Sequence, residues 1–307
     1  MPDFMRRRVL ATAAVALLTS MRPSHGEQPM TFVSTNGAML ATEAFGVARK
    51  GTILLAMGAT ASMAWWPVTF CQSLSAQGYR VIRFDHRDTG MSTTGEPGVV
   101  DYDLADLTGD LVAIMDAYEV PSAHLVGMSL GALSGQLLAL LQPSRVNSLT
   151  LIAAEPLGLQ YQGEGISDAF MAHFGKMQTL DWSDRSAVAA FMLTIAQLSA
   201  GSLPGFDRAD AEARVAVELS RTSNMQSAFN HAMVVADLPP DLTAEAIEVP
   251  TLIIHGTEDP VISVQAARRS AEAIAGSHLV LLEGRGHELP PADVDFIAAE
   301  ILTFLDH

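Results

Sequence analysis

One stretch restricts the folds open to this chain more than any other. Ser122 to Met128 is a short apolar run that reads as a buried strand, and Leu130 to Gln142 follows at once with Leu130, Leu133, Leu137 and Leu141 at helical spacing. Between the two lies Gly127-Met128-Ser129-Leu130-Gly131, a G-x-S-x-G pattern. By itself the pattern says little. Set between a strand and a helix with no spacer, it requires a sharp turn that strains the serine backbone, while the two glycines let neighbouring main chain pass close by. Such a turn lifts the serine hydroxyl from the tip of a strand, over a helix N-terminus that favours developing negative charge.

The segments on either side supply the sheet such a strand needs. Thr31–Ser34 and Met39–Phe45 around Asn36-Gly37 read as a hairpin. Thr52–Met57, Tyr79–Phe84, Val146–Ala153, Pro250–Gly256 and His278–Glu283 read as further strands. Helical patterns occupy Val68–Gln77, Asp101–Tyr118, Val264–Ala275 and Asp293–Leu305. Strands alternating with helices predict an α/β fold with a mostly parallel central sheet covered by helices on both faces. The alternation breaks after Glu155-Pro156. Residues 157–246 show helical stretches and no convincing strand. The expected organisation is therefore a core of residues 30–156 and 247–307, with a helical cap, 157–246, inserted before the last two strands. Ligands of open α/β sheets bind beyond the carboxyl ends of the strands, so the insert is expected to act as a lid.

Composition removes several function classes. A net charge of −16 without a Lys/Arg cluster beyond the N-terminus argues against nucleic acid as a partner. A single cysteine, Cys71, excludes an internal disulfide and a cysteine-based metal cage, and its place on a helical pattern suits a small buried hydrophobe. Residues 1–26 read as an export signal: Arg6-Arg7-Arg8, the apolar run Val9–Leu18, then Ser24-His25-Gly26 before a cleavage site. The run is too short to span a bilayer, and Arg6-Arg7-Arg8-Val9-Leu10 is similar to a twin-arginine signal. A periplasmic or secreted protein without stable membrane insertion is expected, and its oligomeric state is left open.

A serine hydroxyl becomes a nucleophile only when a base takes its proton and an acid orients that base. After a G-x-S-x-G turn these partners follow in the order acid, then histidine. Asp259 lies just past the strand Thr251–His255, in Gly256-Thr257-Glu258-Asp259-Pro260. Glu155 and Glu258 are the alternative acids. Of nine histidines, His287 has the right order and placement, in a loop flanked by Gly286 after the last strand. His255, beside the acid, reads as a core residue, and His173 and His231 fall in the insert. Two main-chain donors are expected for the oxyanion: the N–H of Leu130 and an N–H after strand Thr52–Met57, with Ala59 favoured. No cofactor or metal is expected. Asp85, His86 and Asp88 could be read as metal ligands, but a solvated or arginine-bridged loop is the preferred reading.

Met57-Gly58-Ala59, Gly127-Met128-Ser129-Leu130-Gly131, Gly256-Thr257-Glu258-Asp259-Pro260 and Gly286-His287 match, in order, the landmarks of the α/β-hydrolase superfamily, which the chain resembles from about residue 30 to its end. Phe84-Asp85-His86-Arg87-Asp88-Thr89-Gly90-Met91-Ser92 resembles the D-x-R-G-x-G-x-S loop of that superfamily, with Asp88 where glycine is usual. The D-H-R-D-T-G run and the Met57-Gly58 loop are similar to capped methylesterases of the aclacinomycin methylesterase type. The resemblance implies a serine hydrolase acting on small-molecule carboxylic esters through an acyl-enzyme. Phe170, Met171, Phe174, Met177, Phe191, Met192, Met225, Phe229 and Met233 of the insert read first as its core; any that face the site would favour an apolar group. The same residues also admit C–C bond hydrolysis, perhydrolysis of the cofactor-free haloperoxidase kind, or a ligand-binding protein that has lost turnover.

Overall fold

The computed structural model describes residues 30–306, so the leader assigned to residues 1–26 lies outside the described residues. Eight strands form one sheet: β1 (Thr31–Thr35), β2 (Ala38–Phe45), β3 (Gly51–Ala56), β4 (Tyr79–Phe84), β5 (Ala123–Met128), β6 (Val146–Ile152), β7 (Thr251–Gly256) and β8 (His278–Leu282), in the order β1-β2-β4-β3-β5-β6-β7-β8. The β1–β2 and β2–β4 pairs are antiparallel, and every later pair is parallel. The strand with the serine turn thus sits centrally, between β3 and β6.

The strands are apolar without alternation because both faces are buried. Ile53, Leu55, Val81, Val126, Ile152, Leu252 and Ile254 face one cluster, completed by α1 (Val68–Ala76) through Phe70, Cys71 and Leu74 and by α8 (Val294–Leu305) through Ile297 and Ile301. Leu54, Ile82, Leu125, Leu149 and Ile253, one residue out of phase, face the other. There they meet α2 (Leu104–Ala117), α3 (Leu130–Leu141) and α7 (Val264–Ala273). Helix α2 begins three residues later than the sequence pattern suggests. Asp103 caps the Asp106 N–H while Asp106, in the first turn, reaches back to the Asp103 N–H, so Asp103 ends the loop instead of extending the helix.

Between β6 and β7 the chain is helical: α4 (Asp168–Phe174), α5 (Arg185–Ser199), α6 (Arg208–Arg221) and the 3-10 segment Met225–Met233. Phe191, Met192, Met225 and Phe229 are buried with Val188, Val215 and Leu219, against Phe174, Met177 and Trp182, in a core belonging to the insert itself. Met171 and Met233 are exposed. Among the described residues no helix is long and apolar enough to cross a membrane.

Candidate active site

Ser129 joins β5 to α3 with φ 49° and ψ −113°, a conformation that β-carbon-bearing residues rarely adopt. Its neighbours hold it there. The Ser129 N–H donates to Ile152 O of β6 at 2.9 Å, and its carbonyl accepts from the N–H groups of Ala132 and Leu133, both at 3.0 Å. A side chain on Gly127 would run into the Ala132 backbone, and one on Gly131 into the carbonyls of Ala56 and Met57. Glycine is therefore required at both ends of the turn by close approach.

The loop after β3 lies beside this serine: a β-carbon placed on Gly58 would sit 3.4 Å from that of Ser129. Leu130 occupies the first turn of α3, where helical geometry leaves N–H groups without a partner. Among the described residues the N–H groups of Ala59 and Leu130 make no hydrogen bond. The loop is held on either side of Ala59. His86 Nε2 donates to Met57 O at 2.9 Å, and the Thr60 N–H donates to Nδ1 of His231 at 3.0 Å.

Asp259, past the end of β7, is brought to His287, past the end of β8. His287 Nδ1 donates to Asp259 Oδ2 at 2.7 Å, and the other carboxylate oxygen accepts from the N–H groups of Val261 and Ile262, each at 2.8 Å. His255 Nε2 also lies 3.4 Å from Asp259 Oδ2 and 2.9 Å from Ile262 O, so this ring is a neighbour of the acid as well as a core residue. Burial pushes the Asp259 carboxyl up. The hydrogen bonds from His255 and His287 outweigh it and hold the group well below the usual carboxylate range. With its proton on Nδ1, a neutral His287 presents an unprotonated Nε2. The His287 backbone is tied to the insert, its N–H donating to Ser199 O at 2.8 Å. Among the described residues no direct hydrogen bond joins Ser129 to His287, whereas His287 and Asp259 are in contact.

The alternative acids are engaged elsewhere. Glu258 accepts from the Ser202 N–H and hydroxyl, both at 2.8 Å, and Glu155 accepts from the Tyr161 hydroxyl at 2.8 Å.

The D-H-R-D-T-G loop is bridged by arginine, as preferred, but it is buried where a solvated alternative was also open. Asp85 accepts from the N–H groups of Met63 and Met91 and from Arg221 of α6, at 2.8, 2.8 and 2.7 Å. Arg87 makes two 2.7 Å hydrogen bonds to Asp110. Asp88, standing where glycine is usual, has φ 66°, which an Asp tolerates better than most residues. Its carboxylate accepts from the Tyr102 hydroxyl at 2.7 Å, from Asn230 at 3.1 Å and from the Gly95 N–H at 2.5 Å. Among the described residues no group of three His, Cys, Asp or Glu side chains could hold a metal ion.

Three polar residues of the insert escaped the sequence reading, the buried Glu218 and Asn230 and the partly buried Arg221; with them lies buried His231, placed in the insert but given no role. Glu218 Oε2 accepts from the Ser62 N–H at 3.0 Å, the Ser62 hydroxyl at 2.7 Å and Trp65 Nε1 at 2.9 Å. All four reach the loops at the carboxyl ends of β3 and β4. The apolar side chains around Ala59 and Leu130 do not come from the Phe and Met residues of the insert, which read first as its core. Leu130 and Ala59 cluster with Tyr102, Leu157, Val234 and Leu238, while the Phe and Met residues of the insert are largely spent in its own core.

Residues 51–291 match the family model described as alpha/beta hydrolase fold. The chain is 29% identical over 291 residues to rhodomycin D methylesterase DnrP of Streptomyces peucetius, covering 89% of this chain and 97% of that protein. It is 30% identical over 290 residues to rhodomycin D methylesterase DauP of Streptomyces sp. (strain C5), with the same coverage of each. Among solved structures, a hydrolase from Pseudomonas aeruginosa PA01 superimposes with a TM-score of 0.69 at 27% identity, covering 92% of this chain and all of that one.

Proposed function

The chain belongs to the α/β-hydrolase fold family, and from that premise we propose that it cleaves carboxylic esters through a serine acyl-enzyme. The reading is carried by the 2.7 Å contact of His287 with Asp259 at the same end of the sheet as the strained Ser129 turn.

In this scheme His287 Nε2 takes the Ser129 proton as Oγ attacks the ester carbonyl, and Asp259 keeps the proton on Nδ1 and stabilises the imidazolium. The charge that develops on the carbonyl oxygen meets the N–H groups of Ala59 and Leu130, which make no hydrogen bond among the described residues. Protonated His287 returns its proton to the departing alcohol. Water then attacks the acyl-enzyme with His287 again as base, releasing the acid and restoring Ser129. The absence of a hydrogen bond between Ser129 and His287 is compatible with this, since such contacts are often long without substrate and tighten in the Michaelis complex.

Two observations narrow the substrate. Two of the relatives are named as methylesterases, and the proposed donors are bordered by Leu130, Leu157, Val234 and Leu238. We therefore assign a methyl ester of a small to medium apolar acid, with the helical insert as the lid over it. Hydrolysis of p-nitrophenyl butyrate and of a panel of apolar methyl esters tests the assignment. Turnover by the wild type that disappears in Ser129→Ala is expected. Wild-type turnover no faster than the variant's across the panel refutes it. Export is a separate proposal from residues 1–26. A mature N-terminus at Glu27 supports it, and an intact Met1 contradicts it.

A further inference from the structure

We propose that His231, carried by the helical insert, is a positioning residue for the oxyanion loop: it holds the Thr60 peptide so that the Ala59 N–H faces the carbonyl attacked by Ser129. The inference rests on the serine-esterase reading and adds to it a residue from outside the sheet.

The loop Met57-Gly58-Ala59-Thr60 is pinned at two of its peptides by two imidazoles. His86 Nε2–H donates to the Met57 carbonyl at 2.9 Å, fixing the Met57–Gly58 peptide. The Thr60 N–H donates to His231 Nδ1 at 3.0 Å, fixing the Ala59–Thr60 peptide. The peptide that carries the Ala59 N–H lies between these two. A backbone N–H can only donate, so Nδ1 of His231 is bare and its proton sits on Nε2, from which it donates to Arg87 O at 2.7 Å. The ring is buried and meets His86 and Tyr102 edge-on, with centroids 5.9 and 6.4 Å away, which restricts its orientation. Burial also lowers its proton affinity, in keeping with a neutral ring. Thr60 needs such a hold: its φ is 67°, a region that a β-branched residue rarely occupies. Without the acceptor on His231, Thr60 has no reason to stay there, and the preceding N–H turns with it.

Two substitutions separate this role from general packing. His231→Asn leaves a carbonyl oxygen near the position of Nδ1 and gives up the link to Arg87. His231→Gln leaves a polar group near Nε2 and gives up the acceptor for Thr60. Each variant forfeits one of two hydrogen bonds, so a loss of folding strikes both alike. Steady-state hydrolysis of p-nitrophenyl butyrate by the full chain should show kcat of the Asn variant within about threefold of wild type. The Gln variant should lose kcat roughly ten- to hundredfold with KM little changed, as when one oxyanion donor is misaimed. Equal kcat values in the two variants, with wild-type turnover abolished by Ser129→Ala, would overturn the assignment of His231 alone. Wild-type turnover that survives Ser129→Ala would remove the serine mechanism and this inference together.

Discussion

Asp259 at the end of β7 and Glu218 on α6 of the insert are both buried carboxylates, and their surroundings drive them in opposite directions. Asp259 accepts from two main-chain N–H groups and from His287, with the His255 ring 3.4 Å away, and stays ionised far into acid. Glu218 is equally enclosed, but burial outweighs its three neutral donors, the charge of Asp85 adds to the effect, and its carboxyl is pushed up to about 7. Arg221, one turn along the same helix, is taken by Asp85. The contrast separates two kinds of buried polar group. At the sheet edge an acid beside two imidazoles is held in its charged form, and in the insert an acid among neutral donors is pushed toward its protonated form where it joins α6 to the loop after β3.

The largest effect tests the sheet edge. Ser129→Ala should lower kcat for ester hydrolysis by at least about ten-thousandfold, with the unfolding midpoint unchanged or raised as the strained turn relaxes. Asp259→Asn should follow closely, at about a thousand- to ten-thousandfold, because the amide no longer selects the Nδ1–H tautomer of His287. A loss below tenfold would show that His255 or another neighbour can orient the base.

The next effect belongs to the insert and reads in stability. Arg221→Met leaves Asp85 buried with only its N–H partners and should cost about 3 kcal/mol in urea unfolding. The smallest is a slope. Between the ordinary carboxylate range and pH about 7 the folded protein keeps a proton on Glu218 that the unfolded chain has released, so stability from this group falls as pH rises, by up to about 1.4 kcal/mol per unit. Glu218→Gln should flatten the urea midpoint against pH in that window. Asp259 acts in the opposite sense: its contribution is present at neutral pH and is lost as pH falls below the ordinary range. A Glu218→Gln curve parallel to wild type would erase the contrast between the two acids.

These two regions were also unequally legible. The strands, the Ser129 turn and the Asp259–His287 pair could be read because each depends on local pattern: apolar runs for strands buried on both faces, glycines where main chain approaches main chain, and acid and histidine just past strand ends. The insert follows no such rule. In residues 208–221, Ala211, Val215 and Leu219 mark a buried face that takes in Glu218, but nothing local says that Glu218 meets Ser62 and Trp65 or that partly buried Arg221 meets Asp85. His231 could be set aside as a base from its place in the chain, but its contact with Thr60 spans 171 residues and leaves no local trace. Asp88 gave a clue in the opposite sense. A residue where glycine is usual marks a positive φ, and the structure explains its tolerance through Tyr102, Asn230 and Gly95.

The most direct measurement is covalent. Treated with a fluorophosphonate and digested, the protein should carry the label on the peptide containing Ser129 and nowhere else, and His287→Ala should label far more slowly. A protein that takes no label, or takes it on another residue while Ser129 stays free, would contradict a nucleophile built at this turn.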